Sequence, residues 1–124
     1  MYNGDNMAYN TSVLDRALAQ RRAESEEQRQ ATLARVLAVL DEVAPGFGVH
    51  EAYVFGSLAR PGRYHAQSDI DVAVCWPGGT GFFDLAGDVS RRLGQDIDIL
   101  PLDQIHFADK IRREGIKWTS QGAS

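Results

Sequence analysis

Two aspartates occupy alternate positions in a short, mostly apolar segment, "SDIDVAV", at residues 68–74. Side chains two residues apart on a β-strand point to the same face, so Asp69 and Asp71 should lie side by side. Two carboxylates in that position repel each other, and the pKa of one of them rises. Mg²⁺ would remove the repulsion, because it is commonly held by one or two carboxylates together with substrate phosphates. The spacing therefore predicts a metal site on a strand.

A third carboxylate is available in a second alternating segment, "DIDIL", at residues 96–100. Ile97 and Ile99 would share one face of this strand, and Asp96 and Asp98 the other. Either aspartate could complete the site, because alternation alone does not separate two residues on one face.

A turn that could bind phosphate precedes the aspartates. The β-rich segment "EAYVF" ends at Gly56, which is followed by Ser57. A strand that ends in Gly-Ser, with a short helix behind it, presents free backbone N–H groups and a hydroxyl, and such turns bind anions. Arg60, one helical turn further on, could neutralise phosphate charge. Ser68 could order the turn before Asp69. A phosphate-binding turn beside a metal site predicts nucleotide chemistry.

Four phrases recur here in the order of a known family. "FGSLARPG", "SDIDVAV", "IDIL" and "REGIKW" resemble the minimal nucleotidyltransferase group of the DNA polymerase β-like nucleotidyltransferase superfamily. The resemblance extends from about Ala52 to Trp118, and the loop after Arg60 is one residue longer than the family pattern. It selects Asp98 over Asp96 as the third acidic residue. The resemblance implies that Asp69, Asp71 and Asp98 are catalytic and bind metal. It implies that the nucleotide is bound by Gly56, Ser57, Arg60 and Ser68.

The resemblance also implies an activity. Members of this group are typically paired with a HEPN-domain toxin, a ribonuclease-like helical protein. The chain would be the antitoxin of a type VII-like pair, using ATP and a two-ion Mg²⁺ site to transfer AMP to a tyrosine of the toxin. Two alternatives stay open: an antitoxin that acts by binding alone, and a stand-alone nucleotidyltransferase that acts on a small molecule or RNA.

Composition limits the other possibilities. A chain of 124 residues fits one small domain, and a net charge of -4 disfavours broad binding to nucleic acid or membranes. Cys75 is the only cysteine, so no internal disulfide is expected, and no apolar run is long enough to span a bilayer. We expect a cytoplasmic protein.

The predicted fold is α/β (α+β), a small mixed β-sheet flanked by helices, in the order helices, strand, strand, helix, strand, helix. We expect a disordered tail at 1–10, an N-terminal helical extension at 11–45, a minimal nucleotidyltransferase domain at 46–120 and a tail at 121–124. The extension is either two helices, the second beginning at Ser25, or one long helix. The charged run from Arg21 to Arg29 should be a solvated face. Residues 11–45 should either dock a homo- or hetero-oligomeric partner or pack within the chain. We expect a mixed case, in which residues after Leu33 pack on the domain and those before Arg29 are free for a partner.

Overall fold

A computed structural model describes the backbone of residues 4–65 and 67–120, and the side chains of these ranges from Ser12 onwards. Within these ranges the chain forms three α-helices, α1 (Gly4–Val43), α2 (Phe82–Leu93) and α3 (Ala108–Glu114). The same residues form four strands, β1 (Glu51–Phe55), β2 (Asp71–Val74), β3 (Asp98–Pro101) and β4 (Ile116–Thr119). Short 3₁₀ turns at Ala44–Phe47, Gly56–Ala59 and Leu102–Gln104 complete the described elements.

The four strands form one sheet in the order β3-β2-β1-β4. β2 and β3 are parallel, whereas β1 is antiparallel to both β2 and β4. The predicted mixed sheet flanked by helices is therefore confirmed. The fourth strand was not predicted: "EGIKW" was expected only to end the domain, but most of it forms an edge strand paired with β1.

Both faces of the sheet are covered. One face packs against α1 and α2 through the larger core cluster, which includes Val36, Leu40, Val54, Val72 and Leu85. A smaller cluster of Tyr53, Ala73, Leu102 and Ile111 lies under α3 on the opposite face. Since residues alternate along β2, Asp71 shares the α3 face with Ala73.

The N-terminal region is one continuous helix of 40 residues. It includes residues 4–10, which we expected in a tail, and it places Ser25 inside a helix rather than at the start of one. Between Gly4 and Val43 there is no proline or further glycine, so the sequence contains no strong helix breaker. Residues 1–3 and 121–124 of the expected tails lie outside the described residues.

The two ends of α1 have different surroundings. Side chains from Ser12 to Glu24 are exposed, whereas Val36, Val39, Leu40 and Val43 are buried. Within the residues that the structure describes, no helix has the length and apolar character needed to cross a membrane.

Candidate active site

The chain turns sharply where β1 ends. Phe55 is the last residue of β1, and Gly56 begins the 3₁₀ turn with a φ of +74°. This backbone conformation favours glycine. A Cβ atom at Gly56 would also lie 2.5 Å from Oδ2 of Asp71. Glycine therefore allows the turn and the carboxylate to approach each other closely.

Asp71 and Asp98 are neighbours on two adjacent strands of the sheet. Asp71 is the first residue of β2, and its register partners are Phe55 on β1 and Asp98 on β3. Asp98 rather than Asp96 is thus the residue opposite Asp71. Asp69 precedes β2 in an irregular segment and is exposed, whereas Asp71 is half-buried.

The three carboxylates are electrostatically coupled. Burial raises the pKa of Asp71, and the charges of Asp98 and then Asp69 raise this pKa further. The repulsion between Asp69 and Asp71 that their spacing predicted is present, but it is the smallest of the three causes. A bound cation would reverse the rise in pKa by favouring the charged form.

The carboxylates suit a metal that is shared with a substrate. Among residues 4–65 and 67–120, no three His, Cys, Asp or Glu side chains form a cluster that could hold a metal ion. Mg²⁺ does not need such a closed cluster, because it usually takes one or two carboxylates and completes its shell with phosphate oxygens and water. The Asp71–Asp98 pair, with the Gly56–Ala59 turn beside it, fits that requirement.

An open depression of ≈ 460 Å³ contains this pair. Its other lining residues are mostly apolar and aromatic, among them Phe55, Phe83, Leu100 and Phe107. The rings of Phe55 and Phe107 meet edge to face with their centroids 6.3 Å apart. Phe83 is 87% exposed, which is unusual for so large an apolar side chain. The carboxylates therefore lie in an apolar surface that is open to a second molecule.

A second depression of ≈ 370 Å³ lies along the turn and is lined by Gly56, Ser57, Arg60 and Arg63. Arg60 donates to the Glu114 carboxylate at 3.0 Å, and both side chains are about half exposed. An exposed ion pair of this kind contributes little free energy, so Arg60 can exchange the carboxylate for a phosphate at small cost. The depression is thus lined by the backbone of the turn, the Ser57 hydroxyl and the guanidinium groups of Arg60 and Arg63.

Ser68 has a local role in the structure. Its Oγ accepts a hydrogen bond from the backbone N–H of His65 at 3.0 Å, and its own N–H donates to the His65 carbonyl oxygen at 2.9 Å. These bonds order the turn before Asp69, as the sequence suggested. Cys75 is half-buried, and burial raises the pKa of its thiol, so it is not an activated nucleophile.

Sequence reasoning did not select three residues that line these depressions. Arg63 follows the Gly-Ser turn, and its proximity in sequence to Arg60 was the available signal. Phe83 and Phe107 carried no motif; only their placement by α2 and by the loop before α3 brings them near Asp98.

Comparison with known proteins identifies the family to which the chain belongs. The family model for polymerase β nucleotidyltransferases matches residues 40–121. A solved structure assigned as a minimal nucleotidyltransferase is 29% identical with a TM-score of 0.59, over 71% of this chain and 93% of that chain. No curated protein gave a match.

Two further solved structures share the fold at lower identity. One, a mutant of the toxin–antitoxin pair MntA–HpeT, is 21% identical with a TM-score of 0.51, over 72% of this chain and 74% of that chain. The other, a toxin–antitoxin with AMP-PNP, is 24% identical with a TM-score of 0.53, over 72% of this chain and 74% of that chain. The resemblance to minimal nucleotidyltransferases is confirmed, and the protein belongs to the polymerase β nucleotidyltransferase family.

Proposed function

We propose that this protein is a Mg²⁺-dependent nucleotidyltransferase that transfers AMP from ATP to a tyrosine of a HEPN-domain toxin, and that it is the toxin's antitoxin. The observation that carries the proposal is the pairing of Asp71 with Asp98 on adjacent strands, beside the Gly56 turn. Carboxylates next to an anion-binding turn suit a reaction on a nucleoside triphosphate.

Each part of the site has a distinct task in this proposal. The N–H groups and hydroxyl of the Gly56–Ala59 turn bind the triphosphate, and Arg60 and Arg63 neutralise its charge. Asp71 and Asp98 would hold Mg²⁺, with Asp69 beside them, and the ion would offset the negative charge of the phosphates. The apolar depression around Asp98 receives the acceptor.

The transfer step conserves atoms and charge. The tyrosine oxygen of the acceptor bonds to the α-phosphorus of ATP, and the bond between that phosphorus and the oxygen bridging to the β-phosphate breaks. Pyrophosphate leaves with the bonding electron pair. Asp98, which is exposed and therefore accessible to the acceptor, takes the phenolic proton and passes it to solvent.

Two features favour a protein acceptor. Solved structures that share the fold are described as toxin–antitoxin structures, one of them with AMP-PNP. The site itself opens to the surface between exposed aromatic side chains, a composition that is enriched at protein–protein interfaces.

The test is the mass of the partner. Purified protein is incubated with the HEPN-domain protein encoded by the neighbouring gene, ATP and Mg²⁺, and the partner is analysed by intact mass spectrometry. We expect a gain of one or more AMP units that is abolished by Asp69→Ala with Asp71→Ala. The matched control is Asp84→Ala with Asp88→Ala, which removes two carboxylates of α2 that do not line the depression.

The alternatives give different results. Modification that survives the Asp69→Ala, Asp71→Ala change would contradict the assignment. Neutralisation of the toxin by that double variant, without modification, would indicate inhibition by binding alone. Absence of a HEPN gene beside this one would favour a stand-alone enzyme for a small molecule or RNA.

A further inference from the structure

Arg29 of α1 reaches across to the turn that follows β1. Its side chain is buried, although it belongs to the charged run that the sequence placed on a solvated face. Nη1 of Arg29 donates to the carbonyl oxygen of Leu58 at 3.0 Å. Leu58 is part of the Gly56–Ala59 turn and is itself fully buried. A helix outside the sheet thus contacts the backbone of the candidate phosphate site directly.

Glu26 fixes the guanidinium in place. Nε and Nη2 of Arg29 donate to the two carboxylate oxygens of Glu26 at 2.9 and 2.6 Å. This two-bond pairing uses the rigid fork of arginine and leaves Nη1 aimed at Leu58. The hydrogen bonds from Arg29 and then from Gln30 lower the pKa of Glu26 to about 2. The Glu26–Arg29 pair is therefore a charged unit that contacts the turn through Leu58.

A turn of this kind needs support from outside. The 3₁₀ helix at Gly56–Ala59 is a single turn, and such turns have poorer hydrogen-bond geometry than an α-helix. Its carbonyl groups must find partners elsewhere when they are buried. Arg29 provides that partner at Leu58, one residue after Ser57.

We propose that Arg29, held by Glu26, is a positioning residue that keeps the Gly56–Ala59 turn in its phosphate-binding conformation. This inference rests on the proposed function, because it assigns the turn to the nucleotide. Arg29 lies outside the residues 40–121 that the family model matches. Arg29 and Glu26 both belong to α1.

Nucleotide affinity is the first measurement. Binding of Mg²⁺ with an ATP analogue whose α–β bridging oxygen is replaced by methylene is measured by titration calorimetry for Arg29→Met and Arg29→Lys. We expect Arg29→Met to weaken binding about tenfold, because a misplaced turn loses hydrogen bonds to the phosphates. Arg29→Lys, which keeps the charge and one donor, should recover part of the loss.

Two controls on the same helix separate positioning from stability. Arg35→Met removes a comparable bond, from Arg35 to the Leu93 carbonyl at the end of α2, and should leave binding within about twofold. Val36→Ala destabilises the core cluster to which Leu58 also belongs, but it removes no hydrogen bond to the turn. Hydrogen exchange of residues 56–62, without nucleotide, should accelerate in Arg29→Met and not in Val36→Ala. Glu26→Gln replaces Arg29→Met if the latter does not fold.

The outcomes distinguish this inference from the proposed function. Equal nucleotide affinity in Arg29→Met and the wild type, or an equal loss in Val36→Ala, would overturn the positioning role and leave the function standing. If the wild type does not bind the analogue, the proposed function fails, and exchange at 56–62 alone decides whether Arg29 holds the turn.

Discussion

Gly56 and Asp71 are packed so closely that each limits what the other position can hold. The carboxylate of Asp71 occupies the space where a Cβ of residue 56 would be, and the positive φ disfavours any other residue. The same glycine exposes the backbone that is proposed to bind phosphate. One position therefore serves both the turn and the carboxylate.

Because of this packing, we expect Gly56→Ala to lower the free energy of unfolding by more than the backbone strain alone would. Gly62 offers a matched control, because its φ is +81° and a Cβ there would have no neighbour within 4 Å. We expect Gly62→Ala to cost about 1 kcal/mol of unfolding free energy from strain. Gly56→Ala should cost more, because its Cβ displaces Asp71, and it should abolish AMP transfer. Denaturant unfolding and the transfer assay test both, and equal behaviour of the two variants would contradict the close packing.

Asp71 should destabilise the folded protein until a cation binds. Its pKa lies above the ordinary value of 3.8 in the folded protein, chiefly through burial, so the folded state holds this proton more tightly than the unfolded chain. The contribution of Asp71 to stability is therefore lost as pH rises from 3.8 through the raised pKa.

Asp71→Asn tests whether ionised Asp71 destabilises the folded protein. Near pH 7 with a chelator present, the variant should melt at a higher temperature than the wild type, and the difference should shrink towards pH 3, below the ordinary pKa of 3.8. Added Mg²⁺ should raise the melting temperature of the wild type and have little effect on Asp71→Asn. If Asp71→Asn melts below the wild type in chelator at pH 7, ionised Asp71 does not destabilise the folded protein. Asp84→Asn, on α2, is the control.

The sequence motifs include the aspartates and the turn of the candidate site, but they do not include Arg29, which contacts the turn. Asp71 and Asp98 were predicted because alternation and a family pattern mark them, and the sheet pairs them. Arg29 was missed because its neighbours in sequence are charged, and nothing local distinguishes a buried arginine from a solvated one. Its burial depends on Leu58, which is 29 residues further along the chain.

At the scale of elements, α1 combines two environments in one helix. Leu40 is fully buried against the sheet, whereas Leu14 is 56% exposed. The same substitution at both positions should therefore have different costs. We expect Leu40→Ala to lower the unfolding free energy by about 2–5 kcal/mol. Leu14→Ala should change it by less than about 0.5 kcal/mol. Chemical denaturation measures both, and a large cost at Leu14 would mean that this half of α1 supports the fold.

The sequence predicted three of the four described strands and missed β4. β2 and β3 have buried residues at Val72 and Ile99, which their patterns mark clearly. β4 has one fully packed side chain, Trp118, whose Nε1 donates to Asp41 of α1 at 2.7 Å. Lys117 faces outward towards Glu51. Ile116 packs on the same core as Trp118, so β4 does alternate, but four residues are too short a run for the alternation to stand out without the pairing with β1.

At the scale of the whole molecule, the exposed half of α1 carries an apolar surface, and its Leu18 lines a depression together with Arg63. Val13, Leu14 and Leu18 are 50%, 56% and 36% exposed, and we name them the α1 apolar stripe. Neither of the two depressions of the candidate site includes them. The proposed docking of a partner through residues 11–45 would use this stripe.

Serine at all three positions of the α1 apolar stripe tests that role. We expect the melting temperature to stay unchanged, because none of the three side chains belongs to the main core cluster. Affinity for the toxin partner should fall at least about tenfold, since each buried apolar side chain at an interface contributes favourably. Surface plasmon resonance measures it. Serine at Ala17, Ala19 and Ala23 is the control, and equal affinity of both variants would place the interface elsewhere.

The way α1 joins the core also determines where the chain can be cut. The segment that the family model matches begins at residue 40, yet Val36 and Val39 are buried in the main core and Arg29 contacts Leu58. A recombinant fragment limited to the matched segment would expose the apolar surface that these side chains cover, and it would leave the Leu58 carbonyl without its donor. Fragments for crystallisation or screening should therefore begin upstream of Glu26, because similarity ends before the folding unit does.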